Sequence, residues 1–302
     1  MVRLCNWVGE VVLSVPALRR LETAGYDLHL VGKHWAPALL ASTGWRVTAR
    51  PAGLGAAIRQ LRELRRSAAW DRGRVTALLM TKSLSSALEA RLAGLAAVGY
   101  AKDGRSPLLA AAYPLLRFEH AAHAYWHLAS RFLGSDAPYP TAVDLPPNPL
   151  QISAANALLA EYGLTARKFV LLCPFSGADD KERRKVWPGF AGLAARLAAT
   201  SLPTVVCPGP GEDAVARAEL PTAVLLPGVD LGTYGALLHL AHAVVANDTG
   251  PGHLAAAVGA RLVSIYGPQS VAAWSPLGAR VRLMHEPTGW PTVDQVTAAV
   301  LA

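Results

Sequence analysis

The chain has 302 residues, 52% hydrophobic and 17% charged, which excludes a disordered chain and leaves material for one large or two ordinary domains. Its formal net charge is +8, from 29 Lys and Arg against 21 Asp and Glu. Three cysteines, Cys5, Cys173 and Cys207, are an odd number with no CxxC; they argue against a disulfide framework or a cysteine zinc site and fit a reducing, cytoplasmic setting.

Short apolar runs alternate with helical patterns from the first residue onward. Residues 2–7 read as a strand, 10–24 as a helix and 27–31 as a strand. A helix near 37–42, a strand near 46–49 and a helix from about 54 to 68 follow. Next come a strand at 75–81, a helix at 85–94 and a short strand at 97–100. Such alternation predicts a parallel sheet covered by helices on both faces. Residues 1–18 superficially resemble a leader, but Asn6 and Glu10 interrupt the apolar stretch and no clear small-residue cleavage site follows. Apolar runs such as residues 108–116 are too short to span a bilayer. A soluble protein is expected, with contact at a membrane surface as an open possibility.

Residues 137–149 hold five prolines and little periodicity, the pattern of an extended connector. A helix at 152–162 opens a second alternating series, with strands at 169–174, 204–207, 223–226, 243–246 and 261–266. Its clearest helices are at 190–199 and 234–241. The expected architecture is α/β: two Rossmann-like domains, 1–150 and 151–302, with ligands at the carboxyl ends of the strands in a central cleft.

The charge divides along the same line. Residues 1–150 carry 18 Lys and Arg against 10 Asp and Glu, whereas residues 151–302 carry 11 of each. Segment 46–74 alone holds eight arginines against Glu63 and Asp71. An anionic partner met by the first half is expected, with nucleic acid, phospholipid and an acidic glycan all of suitable charge. Within 54–68, Arg59, Arg62 and Arg66 share one helical face. Arginine forks match phosphate and carboxylate; a solvated helix face is the better description of any one of them alone, and their concentration as a group favours function.

In the second half, residues 243–266 place Asn247 and Asp248 at a strand end, then a Thr249-Gly250 turn, with Pro251 at a helix start and Gly259 at its end. A helix N-terminus so placed offers backbone N–H groups to an anion. Asp248 and Thr249 stand where hydroxyls or phosphate are met, and His253 lies one turn in; an ordinary capped helix is the alternative. The strand at 169–174 leads to Ser176 and Gly177, and Lys185 precedes Trp187 and Pro188. A lysine there can neutralise a diphosphate leaving group. Glu212, after the strand at 204–207, can accept from ribose hydroxyls. No GxGxxG follows the first strand of either half, which weakens a dehydrogenase reading. No Asp-x-Asp occurs, against a metal-dependent GT-A transferase, and Glu119, His120, His123 and His127 lack a metal-binding HExxH pattern.

Lys185-Val-Trp-Pro188, Gly211-Glu212 and Asn247-Asp-Thr-Gly-Pro-Gly-His253 resemble the donor-domain motifs of family 9 glycosyltransferases, the bacterial lipopolysaccharide heptosyltransferases. Gly267-Pro268, Trp274-Ser-Pro276 and the opening from Asn6 to Leu18 are similar too. The resemblance implies a GT-B fold, an ADP-heptose donor bound by the second half and an inner-core glycan acceptor bound by the first. It also implies inverting transfer without metal or redox cofactor, with Glu10 as the general base. Lys185, Ser176, Gly177, Thr249 and Gly250 would then face the diphosphate, Glu212, Asp248 and His253 the rest of the donor, and Arg59, Arg62, Arg66 and His123 the acceptor. The family usually has aspartate where this chain has Glu10, whose carboxylate reaches about 1.5 Å farther. Rival readings are another nucleotide sugar or acceptor, a non-catalytic nucleotide-sugar or glycan-binding protein, and a nucleic-acid binder. The last lacks a motif and leaves the neutral second half unexplained.

Overall fold

The computed structural model describes residues 1–68, 76–175, 186–268, 271 and 273–302. They form two compact units, Met1–Pro140 and Thr141–Ala302.

The first unit runs β1 (Val2–Arg3), α1 (Val8–Thr23), β2 (His29–Gly32), α2 (Ala36–Leu39), β3 (Arg46–Ala49) and α3 (Leu54–Ser67). It continues through β4 (Ala77–Leu79), α4 (Leu84–Leu92), β5 (Ala97–Ala101), a 3-10 turn (Ser106–Leu108), β6 (Ala111–Pro114) and α5 (Ala121–Leu133). The sheet order is β3-β2-β1-β4-β5-β6, with every pairing parallel. This is a doubly wound order, which reverses direction between β1 and β4. Central strands buried on both faces read as unbroken apolar runs, as Ala77–Leu79 does.

The second unit holds α6 (Pro149–Glu161), β7 (Val170–Cys173), α7 (Phe190–Leu197), β8 (Thr204–Val206), α8 (Asp213–Glu219), β9 (Val224–Leu225) and α9 (Leu231–Leu240). Then follow β10 (Ala243–Asn247), α10 (Gly250–Ala257), β11 (Leu262–Tyr266), β12 (Val281–His285) and α11 (Val293–Leu301). Its order, β12-β11-β10-β7-β8-β9, is all parallel and repeats the topology of the first unit, with the reversal between β7 and β10. Leu172, Val245 and Ile265 pack there against Trp187, Phe190, Leu193 and Val296.

Three features differ from expectation. The division falls at Pro140, ten residues before the expected boundary at 150. Part of the proline-rich segment belongs to the second unit: Val143 and Leu145 are buried and donate backbone hydrogen bonds to Leu277 (3.3 Å) and Ala257 (2.8 Å). α6 starts at Pro149, because Asn148 and Gln151 form a reciprocal capping box there. Finally, β6 and β12 are edge strands whose half-exposed residues show no clean alternation, and both fell outside the sequence reading.

Candidate active site

In a doubly wound sheet the loops leaving the two strands at the reversal diverge and open a crevice at their carboxyl ends. In the first unit these are the β1–α1 and β4–α4 loops. Cys5, Asn6, Trp7 and Glu10 from one, with Met80, Thr81, Lys82 and Ser83 from the other, line a recess of about 100 Å³. The first helix begins at Val8, two residues before the expected start, so Glu10 lies in its first turn. The N-cap residue Trp7 makes no side-chain cap. The carboxylate therefore stands near the positive end of the helix dipole.

Glu10 is half-buried, and its Oε1 accepts a hydrogen bond of 3.1 Å from the Tyr125 hydroxyl on α5. Tyr125 is 1% exposed. Burial, then the neighbouring Cys5 and Glu10, push its phenol far above the ordinary range, so it remains a donor. The buried Cys5 thiol lies against it and donates to the Met80 carbonyl. Burial and the Glu10 charge push this thiol up to about 12, which leaves it neutral and unreactive. The Lys82 ammonium sits 5.8 Å from the centre of the Tyr125 ring, and among the described residues it has no carboxylate partner.

Arg105 shapes the β4–α4 loop from beneath. Its guanidinium is fully buried and donates to the carbonyls of Tyr100 (2.7 Å), Thr81 (2.7 Å) and Ser83 (3.3 Å), gripping the residues on either side of Lys82. A Cβ on Gly99 would come within 2.7 Å of that guanidinium, so glycine there makes room for it.

The arginines of α3 lie elsewhere. This helix runs from the carboxyl edge of β3 back to the amino edge of β4, and its 14 residues span about 21 Å. Arg62 donates to the Leu92 carbonyl and Arg65 to the Gly94 carbonyl, both at 2.9 Å. Those carbonyls close α4 just before β5 begins, at the sheet edge opposite Glu10. Arg59, Arg62 and Arg66 are exposed, and the structure does not bring them to the recess. His123 stacks on Tyr139 with ring centres 4.0 Å apart, and burial lowers its pKa. His127 stacks on Tyr100, while His120 caps α5 by accepting from the Ala122 N–H. Among the described residues no group of His, Cys, Asp or Glu could hold a metal ion.

In the second unit the reversal between β7 and β10 carries Asp248, Thr249 and Gly250. The Asn247 side chain, fully buried, ties this crevice together: its amide donates to the Pro174 carbonyl (2.8 Å) and accepts from the Trp187 N–H (2.9 Å). Asp248 is half-buried, with Oδ1 3.4 Å from the Tyr266 hydroxyl. Thr249 is the N-cap of α10, with Gly250 and Pro251 as its first two residues, so Pro251 stands one position later than expected. Glu212 folds back so that Oε2 accepts from the Gly209 N–H at 2.8 Å. His253 is 5% exposed, beneath the first turn of α10. Ser176, Gly177 and Lys185 lie outside the described residues.

Sequence reasoning missed Lys82, Tyr125, Arg105 and the bridging role of Asn247. Lys82 had one readable signal, a cation directly after an apolar strand at a βα turn. The contacts of Tyr125 and Arg105 had none, because their partners are remote in the chain.

Two all-parallel sheets of order 3-2-1-4-5-6, one after the other, are the architecture of the GT-B fold. The family model for glycosyltransferase family 9 (heptosyltransferase) matches residues 59–299, and the chain belongs to that family. It is 28% identical to lipopolysaccharide heptosyltransferase 2 of Escherichia coli K12 over 331 aligned positions, covering 97% of this chain and 90% of that protein. Among solved structures, E. coli ADP-heptose lipopolysaccharide heptosyltransferase II superposes with a TM-score of 0.76 at 22% identity, covering 99% and 98% of the two chains. A family 9 glycosyltransferase from Veillonella parvula gives 0.80 at 19% identity, covering 94% and 85%. E. coli heptosyltransferase WaaC with ADP gives 0.73 at 20%, covering 99% and 96%. No helix among the described residues is long and apolar enough to cross a membrane.

Proposed function

We propose that this glycosyltransferase moves heptose from ADP-heptose to a hydroxyl of an acidic lipopolysaccharide inner-core acceptor, with inversion and without metal. The observation that carries the reading is Glu10: a carboxylate in the first turn of α1, held by Tyr125, on the wall of a recess at the strand reversal. A general base must reach the acceptor proton while remaining anchored, and among the described residues this carboxylate has Oε1 bonded and Oε2 available.

As the acceptor oxygen forms its bond to the anomeric carbon, its proton passes to Glu10. The bond from that carbon to the β-phosphate oxygen breaks on the opposite side, and ADP leaves with the electron pair. In this reading the N-terminus of α10, at Thr249 and Gly250, faces the diphosphate together with Lys185, Ser176 and Gly177. Asp248 and Glu212 take donor hydroxyls, and His253 supports the turn from below. Lysine and helix dipole supply the leaving-group stabilisation that a metal gives other transferases. Lys82 meets an anionic group of the acceptor near the attacking hydroxyl. The arginine face of α3, at the far edge of the sheet, meets the anionic lipid surface that carries such an acceptor on the cytoplasmic side of the membrane.

The test is ADP release from ADP-heptose with an inner-core acceptor, with and without EDTA, for the unmodified chain and Glu10→Gln. Turnover that survives EDTA and falls about 10²- to 10⁴-fold in Glu10→Gln is expected, with product of inverted anomeric configuration by NMR. Full activity in Glu10→Gln would overturn the base assignment. No turnover by the unmodified chain would overturn the substrate assignment.

A further inference from the structure

We infer that Tyr125 is the positioning residue for Glu10, and that glutamate at position 10 and tyrosine at position 125 work as one unit. The inference rests on the proposed role of Glu10 as base. A tyrosine hydroxyl is costly to bury unless it is paired, and phenylalanine would fill the same space between α1 and α5. Tyr125 is 1% exposed, and its hydroxyl donates to Glu10 Oε1 across 115 positions of sequence. Among the described residues this is the hydrogen bond Glu10 receives; Oε2 remains for an incoming hydroxyl.

The contact also accounts for the length of the side chain. Aspartate at position 10 would withdraw the carboxylate by about 1.5 Å. The present contact of 3.1 Å would then open beyond hydrogen-bond range. Glutamate reaches the anchor on α5, and the anchor removes the freedom that the added methylene brings. The groups facing the pair are Cys5 from the β1–α1 loop and Lys82 from the β4–α4 loop. The thiol is neutral. Lys82 lies over the tyrosine ring, and the hydroxyl is therefore the group that fixes the carboxylate's orientation.

The test is a double-mutant cycle with steady-state kinetics on ADP-heptose and the inner-core acceptor, with melting temperatures to check folding. Tyr125→Phe is expected to lower kcat about 10- to 100-fold, as a misplaced base does, with the KM for the donor unchanged within twofold. Glu10→Asp, a substitution on a half-buried residue, is expected to lower kcat comparably, because it too loses the anchor. Adding Tyr125→Phe to Glu10→Asp should then change kcat less than twofold. Multiplying losses in the double variant would overturn the inference. So would wild-type kinetics in Tyr125→Phe while Glu10→Gln is inactive, and that result leaves the base assignment standing. Full activity in Glu10→Gln overturns the base assignment itself. If Tyr125→Phe does not fold, wild-type kcat in Glu10→Asp overturns the coupling alone.

Discussion

The two units share one strand order and place their polar residues at the same reversal, yet they fill it with opposite materials. The first unit presents ionisable side chains: Glu10, Lys82 and, behind them, Tyr125. The second presents a backbone turn at the start of α10, directly after Asp248, while Glu212 folds back on the loop after the neighbouring β8. What braces each crevice differs as well. Arg105 grips the carbonyls on either side of Lys82, whereas the neutral amide of Asn247 ties the end of β7 to Trp187. A sheet reversal offers only a place; the loops decide which groups stand there.

This contrast can be broken at three points. The largest effect is expected from Asn247→Ala, which leaves the Pro174 carbonyl and the Trp187 N–H without their buried partner. Each such group costs about 1–3 kcal/mol, so the second unit should melt roughly 10 °C lower. Differential scanning calorimetry would register it, and an unchanged transition would show that the bridge contributes nothing. Lys82→Gln is expected to raise the KM for the acceptor about tenfold while the donor KM stays constant. Equal change in both constants would place Lys82 outside acceptor recognition. The smallest effect on chemistry should come from Arg59, Arg62 and Arg66 replaced together by glutamate, with kcat on a detergent-dispersed acceptor within twofold of the parent. Their loss should show instead in weaker co-sedimentation with phosphatidylglycerol vesicles, by about tenfold or more. A tenfold fall in kcat would return these arginines to the reacting end of the acceptor.

Much of the fold was legible because central parallel strands are short apolar runs that end at turn residues, as Val170–Cys173 does before Pro174 and Ala243–Asn247 before Asp248-Thr249-Gly250. The positions of Glu10, Asp248 and Thr249 at βα turns followed from that pattern alone. The edge strands β6 and β12 escaped it, since half-exposed residues leave no clear period. The anchor of Glu10 escaped for another reason: nothing local to residue 125 says that its hydroxyl meets a carboxylate 115 positions away.

The charge shows where the division falls. By itself the sequence determined that the positive excess belongs to the first half and that an acid stands at its first βα turn. Tertiary structure decided how that charge is used. Arg105 is fully buried on backbone carbonyls, Arg3 donates to the Leu4 and Val31 carbonyls, and Arg50 forms a two-pronged ion pair with the buried Glu89. Arg62 and Arg65 close the end of α4, leaving Lys82 as the cation on the wall of the recess. Net charge is a sum over residues and can be read from composition. Whether a cation braces a loop or meets a ligand depends on which carbonyls and carboxylates the folded chain brings within 3 Å or so of it, and those partners are remote in sequence.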